Sequence, residues 1–160
     1  MTLEKYLKLA KKIVKQIEYI TLATVTSDGQ PWNSPLFTAY DTNYTFYWAS
    51  DKENVHSKNI KQNNKIFGVV YNSKAKAGTG FGVYFVGKAY LISNPIEMAK
   101  AIKLLYSRTG DKPAAIREFM KRFPRRLYKF IPEKCWINDD GKKNDNFVDI
   151  RVELPLLNQP

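Results

Sequence analysis

Three strand-like runs and a short helix follow one another between Ile20 and Asn72, and they decide the fold of this chain. They read ITLATVTSDGQPWNSPLFTAYD (residues 20–41), YTFYWASDKENVHSKNI (residues 44–60) and KIFGVVYN (residues 65–72). β-Branched and aromatic residues dominate the strand runs, and Asp28-Gly29 favours a tight hairpin because both positions tolerate positive φ. The order predicts a hairpin, a strand with a polar end and a cationic turn that converge on one phosphate-sized spot.

The return strand of this hairpin is expected over residues 31–40. Pro31 and Pro35 cannot donate to a strand ladder, so the strand should have an unpaired edge or a bulge near Pro35. Either arrangement leaves backbone or side-chain polar groups free for a ligand. The residues concerned are Trp32, Asn33 and Ser34.

A strand with two apolar faces is predicted over residues 44–50, followed by a short helix. Ser50 is the expected helix start, because Glu53 follows it at the spacing of a capping box. Three polar side chains should then lie close together on this one- to two-turn helix. They are Lys52, His56 and Asn59.

The remaining chain predicts a mainly β, α+β protein. Residues 3–17 have helical apolar spacing with lysines between, and Thr2 is a plausible cap. Gly82 and Gly87 suggest bends in a long strand. We expect an antiparallel split β-barrel with peripheral helices, one domain over residues 1–160. The further strands are expected at 65–72, 81–92, 128–132, 135–138 and 147–154, the further helices at 96–107 and 111–123, and a solvated loop at 139–145.

Composition limits the classes of protein that this chain can be. Its 160 residues are 44% hydrophobic and 14% aromatic, which argues against disorder. No apolar run approaches the roughly 20 residues of a membrane span, and the basic N-terminal helix has no signal-peptide pattern. That helix could rest on a membrane surface, but the sheet that follows favours packing. The single cysteine, Cys135, excludes an internal disulfide and fits the cytoplasm.

The formal net charge of +11 favours an anionic partner without identifying it. A phosphorylated ligand, a nucleic acid and an acidic lipid surface remain open. The densest basic segment, KRFPRRLYK (residues 121–129), interleaves cations with aromatics, as in proteins that bind single strands. It spans a predicted helix end and strand start without a recognition motif, so a solvated face, or one that shapes access to an anionic ligand, is the favoured interpretation.

The single histidine and the glycine cluster also have ordinary structural interpretations. A lone histidine such as His56 is more often a surface or capping residue than a ligand, and GTGFG (residues 78–82) joins two strands rather than opening a helix. One histidine and one cysteine do not make a structural zinc site. Cys135 is expected to be an inert buried thiol, and no metal site is predicted.

Three segments together resemble the pyridoxamine-phosphate-oxidase-like FMN-binding split β-barrel family. The resemblance covers roughly residues 6–136 and depends on the order and spacing of the segments. It implies a homodimer that holds two FMN molecules in grooves at the subunit interface. The segments are TLATVTSDGQPWNSPLF (residues 21–37), FYWASDKENVHSKNI (residues 46–60) and GFGVYFVGKAYLI (residues 80–92).

The resemblance also implies which residues hold the cofactor. The phosphate should lie at the following turn, where a helix N-terminus and cations supply the donors that it needs. The implied flavin-ring residues are Asn33, Ser34 and Pro35, then Trp48, Ala49 and Ser50, with Trp136 near the C-terminus. The implied phosphate residues are Lys52, His56 and Asn59.

Two departures from the founding oxidase of that family bear on the substrate. That enzyme has an arginine and then an aliphatic run ending in lysine on its second strand, where this chain has Ser34 and then PLFTA (residues 35–39). Its substrate-gripping arginine and histidine are replaced by CWINDDGKKND (residues 135–145). The sequence therefore predicts an FMN-dependent oxidoreductase of an unidentified small molecule, with unidentified catalytic residues. A cofactor-free split-barrel dimer and a basic nucleic-acid-binding protein are the alternatives.

Overall fold

An antiparallel β-sheet and the helices packed on it form the fold. The computed structural model describes residues 1–143 and 146–155. In chain order the elements are α1 (Leu3–Gln16), β1 (Tyr19–Val25), β2 (Pro31–Phe37), β3 (Ala39–Tyr40), β4 (Phe46–Asp51), α2 (Val55–Gln62), β5 (Lys65–Tyr71), β6 (Gly82–Leu91), α3 (Pro95–Thr109), a 3-10 turn (Ile116–Phe119), β7 (Arg125–Lys143) and β8 (Asn146–Leu154).

The sheet curls into a barrel because its two ends are neighbours in the chain. The strand order is β2-β1-β5-β6-β7-β4-β3, with β8 added to β7. The first and last strands of this order, β2 and β3, are separated only by Thr38, whose amide donates to the carbonyl of Glu18 at 2.9 Å. The predicted antiparallel split barrel is confirmed, with the difference that Thr38 divides the expected strand 31–40 in two.

The barrel interior is an aromatic and aliphatic core closed at one end by α1. The ring centre of Phe46 lies 5.0 Å from that of Phe85 and 6.0 Å from that of Phe130. The apolar face of α1 is buried in this core, as the helical spacing predicted, so this helix packs on the sheet. Among the described residues, no helix has the length and apolar character needed to cross a membrane.

Gly87 forms the bend that its position in a strand suggested. The pairing of β6 with β7 shifts register between Val86 and Gly87. A Cβ atom on Gly87 would lie 2.1 Å from the carbonyl oxygen of Ile131, so only glycine fits this close approach. The shift lets β7 continue as one strand of 19 residues where two strands, 128–132 and 135–138, were predicted. β7 bends at this point and does not end there.

Three further sequence predictions are wrong, each for a local reason. Pairing of β4 with β7 extends to Asp51, so Ser50 is a strand residue and α2 begins at Val55. The expected helix 111–123 is only the short 3-10 turn, because just Phe119 of that turn is buried and Pro124 disfavours helix at the residue before it. Most of the expected loop 139–145 belongs to β7 and its pairing with β8; residues 144–145 lie outside the described residues.

Candidate functional site

A gap opens in the barrel wall between β2 and β4, which are not paired with each other. β3 pairs with β4 through Ala39 and Tyr47. On the other side of Thr38, β2 pairs with β1 and, in the described part of the chain, with no second strand. We call this gap between β2 and β4 the split. Three of the residues that line a cavity beside it are Leu36, Phe37 and Ala49.

Both prolines of β2 lie on its open edge. The hydrogen bonds from Thr38 to Glu18 and from Thr26 to Gln30 fix the alternation of the β1–β2 ladder. Residues 31, 33, 35 and 37 therefore direct their backbone groups away from β1, and the proline positions need no donor. Because the register runs through Pro35 without a shift, the predicted unpaired edge is present and the alternative bulge is not.

The predicted ring residues of β2 alternate between the two faces of this strand. Asn33 and Pro35 have exposed side chains, whereas Ser34 is 8% exposed and lies opposite the buried Leu22. The Asn33 amide and the carbonyls of Asn33 and Pro35 face the split. A planar ligand with its own donors and acceptors can hydrogen-bond to such an edge.

A cavity of about 330 Å³ adjoins the split on the outer face of β4. Leu36, Phe37 and Ala49 give it apolar walls, and Tyr106 and Thr109 at the end of α3 give it hydroxyl groups. Arg125 supplies a cation and Asp111 a carboxylate, and the Arg125 guanidinium also lies 5.4 Å from the ring centre of Phe119. The cavity can hold a small, mainly apolar molecule with one hydrogen-bonding group.

Ser50 and His56 meet where the end of β4 lies against the first turn of α2. Oγ of Ser50 lies 2.8 Å from Nε2 of His56 and accepts a 2.9 Å hydrogen bond from Nδ2 of Asn54. His56 is 6% exposed, and burial lowers its pKa from 6.5, so the ring is neutral at pH 7. This neutral ring holds the beginning of α2 against the end of β4.

Asn59 performs a similar task one turn later. Its Nδ2 donates to Oγ1 of Thr24 at 2.9 Å, and both side chains are buried. This hydrogen bond joins α2 to β1. A direct contact of Asn59 or His56 with a phosphate, which the resemblance implies, stays a prediction.

Lys52 and the first turn of α2 form the accessible polar end of the split. The Lys52 side chain is about half exposed, at 51%, and its amide donates to the carbonyl of Pro124. Asn54 is the N-cap of α2, yet its side chain caps none of the helix amides because it is bonded to Ser50. The first-turn amides therefore lack the side-chain acceptor that an N-cap usually supplies.

The two predicted tryptophans occupy different parts of the molecule. Trp48 is 1% exposed and stacks on Tyr128 with 5.5 Å between ring centres, while its indole Nε1 has no hydrogen-bond partner in the described structure. Trp136 is half-buried and pairs with Tyr84. Trp136 lies eight positions after Tyr128 on β7, so the two residues are about 26 Å apart along the strand at roughly 3.3 Å per residue. A contact of Trp136 with a flavin ring, which the resemblance implies, stays a prediction.

Sequence reasoning missed the assignment of Arg125 and Arg126 to separate cavities. Both belong to the basic segment 121–129, but successive residues of a strand point to opposite faces. Arg125 lines the cavity beside the split, whereas Arg126 lines a larger groove of about 840 Å³ on the other side of the turn. The two adjacent arginines are visible in the sequence. Their opposite directions follow only once β7 is known to begin at Arg125.

The comparisons with known proteins agree with this architecture. The family model described as pyridoxamine 5'-phosphate oxidase matches residues 7–139. A search of the curated proteins found no match.

Several solved structures are similar in fold at low sequence identity, which shows the fold alone. A protein of unknown function from Agrobacterium tumefaciens has a TM-score of 0.70 at 21% identity; 89% of this chain covers 60% of that one. A proposed 5-nitroimidazole antibiotic resistance protein from Bacteroides thetaiotaomicron has a TM-score of 0.68 at 15% identity, covering 81% of each chain. The heme storage protein of Vibrio cholerae has a TM-score of 0.69 at 17% identity, covering 91% of this chain and all of that one.

Proposed function

Because this chain belongs to the pyridoxamine 5'-phosphate oxidase family, we propose that it is a flavoprotein that binds FMN in the split and oxidises or reduces a small molecule there. The observation that carries the proposal is the open edge of β2, which faces an apolar cavity at one end and uncapped helix amides with Lys52 at the other. This arrangement suits an elongated ligand whose planar ring lies along the strand edge and whose phosphate lies at the helix amides and Lys52.

The phosphate end is the turn between β4 and α2. A dianionic phosphate needs N–H donors and a cation, and the first turn of α2 supplies both the amides and the positive end of the helix dipole. Lys52 adds a flexible charge. We place His56 and Asn59 behind this site, where they fix α2 to β4 and β1 by hydrogen bonds.

The ring end is the edge of β2 beside Ala49. The backbone amide and carbonyl of Asn33 and the carbonyl of Pro35 match the donors and acceptors of a flavin pyrimidine edge. When bound, FMN supplies transfer of electrons or hydride to and from its ring. The protein's share is to hold the ring on the strand edge and to place the reactant in the adjoining cavity, with Arg125 toward its polar group. The replacements at Ser34 and in residues 135–145 argue against pyridoxamine phosphate as this reactant.

We also propose that the functional unit is a homodimer. Trp136 lies about 26 Å along β7 from the residue that stacks on Trp48, by the strand rise of roughly 3.3 Å. It can therefore contribute to a flavin site only if a second copy presents it. In solution the particle mass should then be twice 18.5 kDa.

The Vibrio cholerae fold neighbour is a heme storage protein, yet the residues of this chain fit heme less well. The only histidine of the sequence, His56, is buried and bonded to Ser50. Cys135 is fully buried, and burial raises its pKa to about 12, so it is not an available thiolate. These two side chains are common axial ligands, and neither is free to approach a metal.

Flavin binding by the purified dimer tests the proposal. We expect a yellow protein that releases FMN on denaturation, or apoprotein that quenches the fluorescence of added FMN with saturation at one FMN per chain. Lys52→Gln should weaken FMN binding about tenfold, the value of a charge-assisted hydrogen bond, while Lys12→Gln on the exposed face of α1 should leave it unchanged. Colourless protein that fails to quench FMN in excess would establish the cofactor-free scaffold instead.

A further inference from the structure

We propose that the groove beside α2 that Arg126 lines binds single-stranded nucleic acid. The groove has a volume of about 840 Å³ and lies between α2 and the neighbouring ends of β6 and β7. The groove shares Lys52 with the proposed phosphate end of the split but none of the residues that line the cavity beside the split, so the two proposals overlap at this one side chain.

Cations from three different elements line this groove. Lys52 comes from the turn, Lys58 and Lys61 from one face of α2, and Arg126 from β7. Of the described residues that line the groove, Glu53 is the one carboxylate, and it pairs with Lys58 at 3.1 Å. The cations exceed this acid by three, and Lys52 also approaches the Glu53 carboxylate, at 4.0 Å.

The groove also has an aromatic surface and side-chain amides. Tyr90, near the end of β6, is 37% exposed, and each base of a single strand can stack on such a ring. Gln62 and Asn64 line the same groove and can reach base edges. Tyr128 forms the buried floor. Stacking next to cations is the pattern by which single strands are bound without sequence preference.

Arg126 continues the basic surface beyond the groove. Its Nη1 donates to the carbonyls of Met120 and Phe123, so it holds the segment before β7 in place. That segment lines a further cavity of about 600 Å³ with Arg117, Lys121 and Arg122, and Phe123 there is 43% exposed. Seven cations line the groove and this cavity together, more than one phosphate needs, which favours a polymer over a mononucleotide.

Anisotropy of a fluorescein-labelled oligodeoxythymidylate of about 12 nucleotides, a length within the usual single-strand site sizes, tests the proposal. We expect micromolar affinity near physiological salt. The plot of log affinity against log salt should have a slope of about −3, from four contacts at about 0.7 each. The double variant Lys58→Gln/Lys61→Gln should weaken binding and reduce the slope by about 1.4.

A matched control separates the groove from net charge alone. Lys8→Gln/Lys12→Gln removes the same charge from the exposed face of α1 and should leave affinity and slope near those of the unaltered protein. Equal weakening by both double variants, or no binding near physiological salt, would overturn the proposal. Melting curves of all variants verify that the fold is retained.

The aromatic contribution distinguishes a single strand from other phosphate ligands. Tyr90→Ala should weaken oligonucleotide binding about fivefold or more, whereas Tyr71→Ala, at a similarly exposed tyrosine of β5, should not. Because Lys52 is shared with the proposed phosphate site, saturation with FMN should weaken oligonucleotide binding by no more than the loss of that one contact. Displacement of the oligonucleotide by AMP at equal phosphate concentration would assign the groove to small phosphates, and equal affinity for duplex DNA would indicate unspecific attraction; each result refutes the proposal.

Discussion

Oγ of Ser50 and Nε2 of His56 lie 2.8 Å apart and join the end of β4 to the first turn of α2. Ser50 also accepts from Asn54, and Asn59 continues the contact to β1. These hydrogen bonds fix the helix whose N-terminus forms the polar end of the split. The geometry of the candidate phosphate site therefore depends on a neutral, buried imidazole behind it.

The buried position of His56 makes stability sensitive to mild acid. Burial lowers the pKa of His56 from 6.5, so near this pH the unfolded chain binds a proton that the native protein excludes. Stability linked to this residue is complete well above 6.5 and declines as the pH falls through that value. We expect the free energy of unfolding, from urea denaturation, to fall more between about pH 7.5 and 5.5 in the unaltered protein than in His56→Gln. Parallel pH profiles would contradict this assignment.

Gly87 should be the least replaceable glycine in a strand. A methyl group there would lie 2.1 Å from the carbonyl oxygen of Ile131 and 2.8 Å from Cα of Pro132, both backbone atoms that cannot turn aside. Gly87→Ala is expected to cost about 3 kcal/mol or more in free energy of unfolding, or to prevent folding. Gly80→Ala is the control, because its new methyl group would be 3.4 Å from Cβ of Ala75. Similar stability of the two variants would show that β7 adapts at the bend.

Asp41 should contribute stability that is lost in stronger acid. Its carboxylate accepts hydrogen bonds from Nζ of Lys100 at 2.6 Å, from the hydroxyl of Tyr47 at 3.1 Å and from the amides of Asn43 and Thr45 at 3.0 Å. Burial alone would raise its pKa, but these donors together lower it from 3.8. The contribution is therefore present above 3.8 and disappears as the pH falls through the lowered value.

Replacing this carboxylate tests its share directly. Asp41→Asn should lose about 2 kcal/mol of unfolding free energy at neutral pH, and its stability should depend less on acid pH. The exposed Asp149→Asn should change neither quantity appreciably. If both variants lose the same stability between pH 7 and about 3, Asp41 has no special role in acid unfolding.

Hydrophobic periodicity was sufficient to predict most elements of this fold. The spacing of residues 3–17 identified α1, and β-branched runs identified β1, β5 and β6 within a residue or two. Errors arose where long-range pairing overrode local signals. Ser50 and Glu53 have capping-box spacing, but the partner strand β7 extends β4 past Ser50. No local pattern reports such pairing.

The open strand edge beside the candidate site was predictable, whereas the contacts of its residues were less so. The prolines of β2 predicted an open edge or a bulge, because a strand tolerates a residue without an amide N–H donor only there. The burial of His56 and the opposite directions of Arg125 and Arg126 depend on where α2 and β7 begin. Those starting points are set by tertiary contacts, so residue types alone did not separate a buried histidine from an exposed one.

Arg108 should stabilise the C-terminus of α1 from a distant part of the chain. Its Nη2 donates to the carbonyls of Ile17 at 2.8 Å and of Val14 and Lys15 at 3.3 Å, groups that the helix itself leaves without partners. The guanidinium also lies 5.4 Å from the ring centre of Tyr40, which places it against the barrel wall. We expect Arg108→Ala to cost about 1.5–3 kcal/mol in urea unfolding, because hydrogen bonds from a charged donor are lost at a partly buried site.

Arg108→Lys should recover only part of this loss, since one ammonium group cannot reproduce a planar donor packed on a ring. Arg122→Ala, at an exposed arginine, serves as the control for removing a positive charge from this strongly basic protein. Hydrogen exchange adds a local readout: in Arg108→Ala the amides in the last turn of α1 should lose protection before those of β6 do. Uniform loss of protection, or equal stability of the two alanine variants, would show that α1 is held by its apolar face alone.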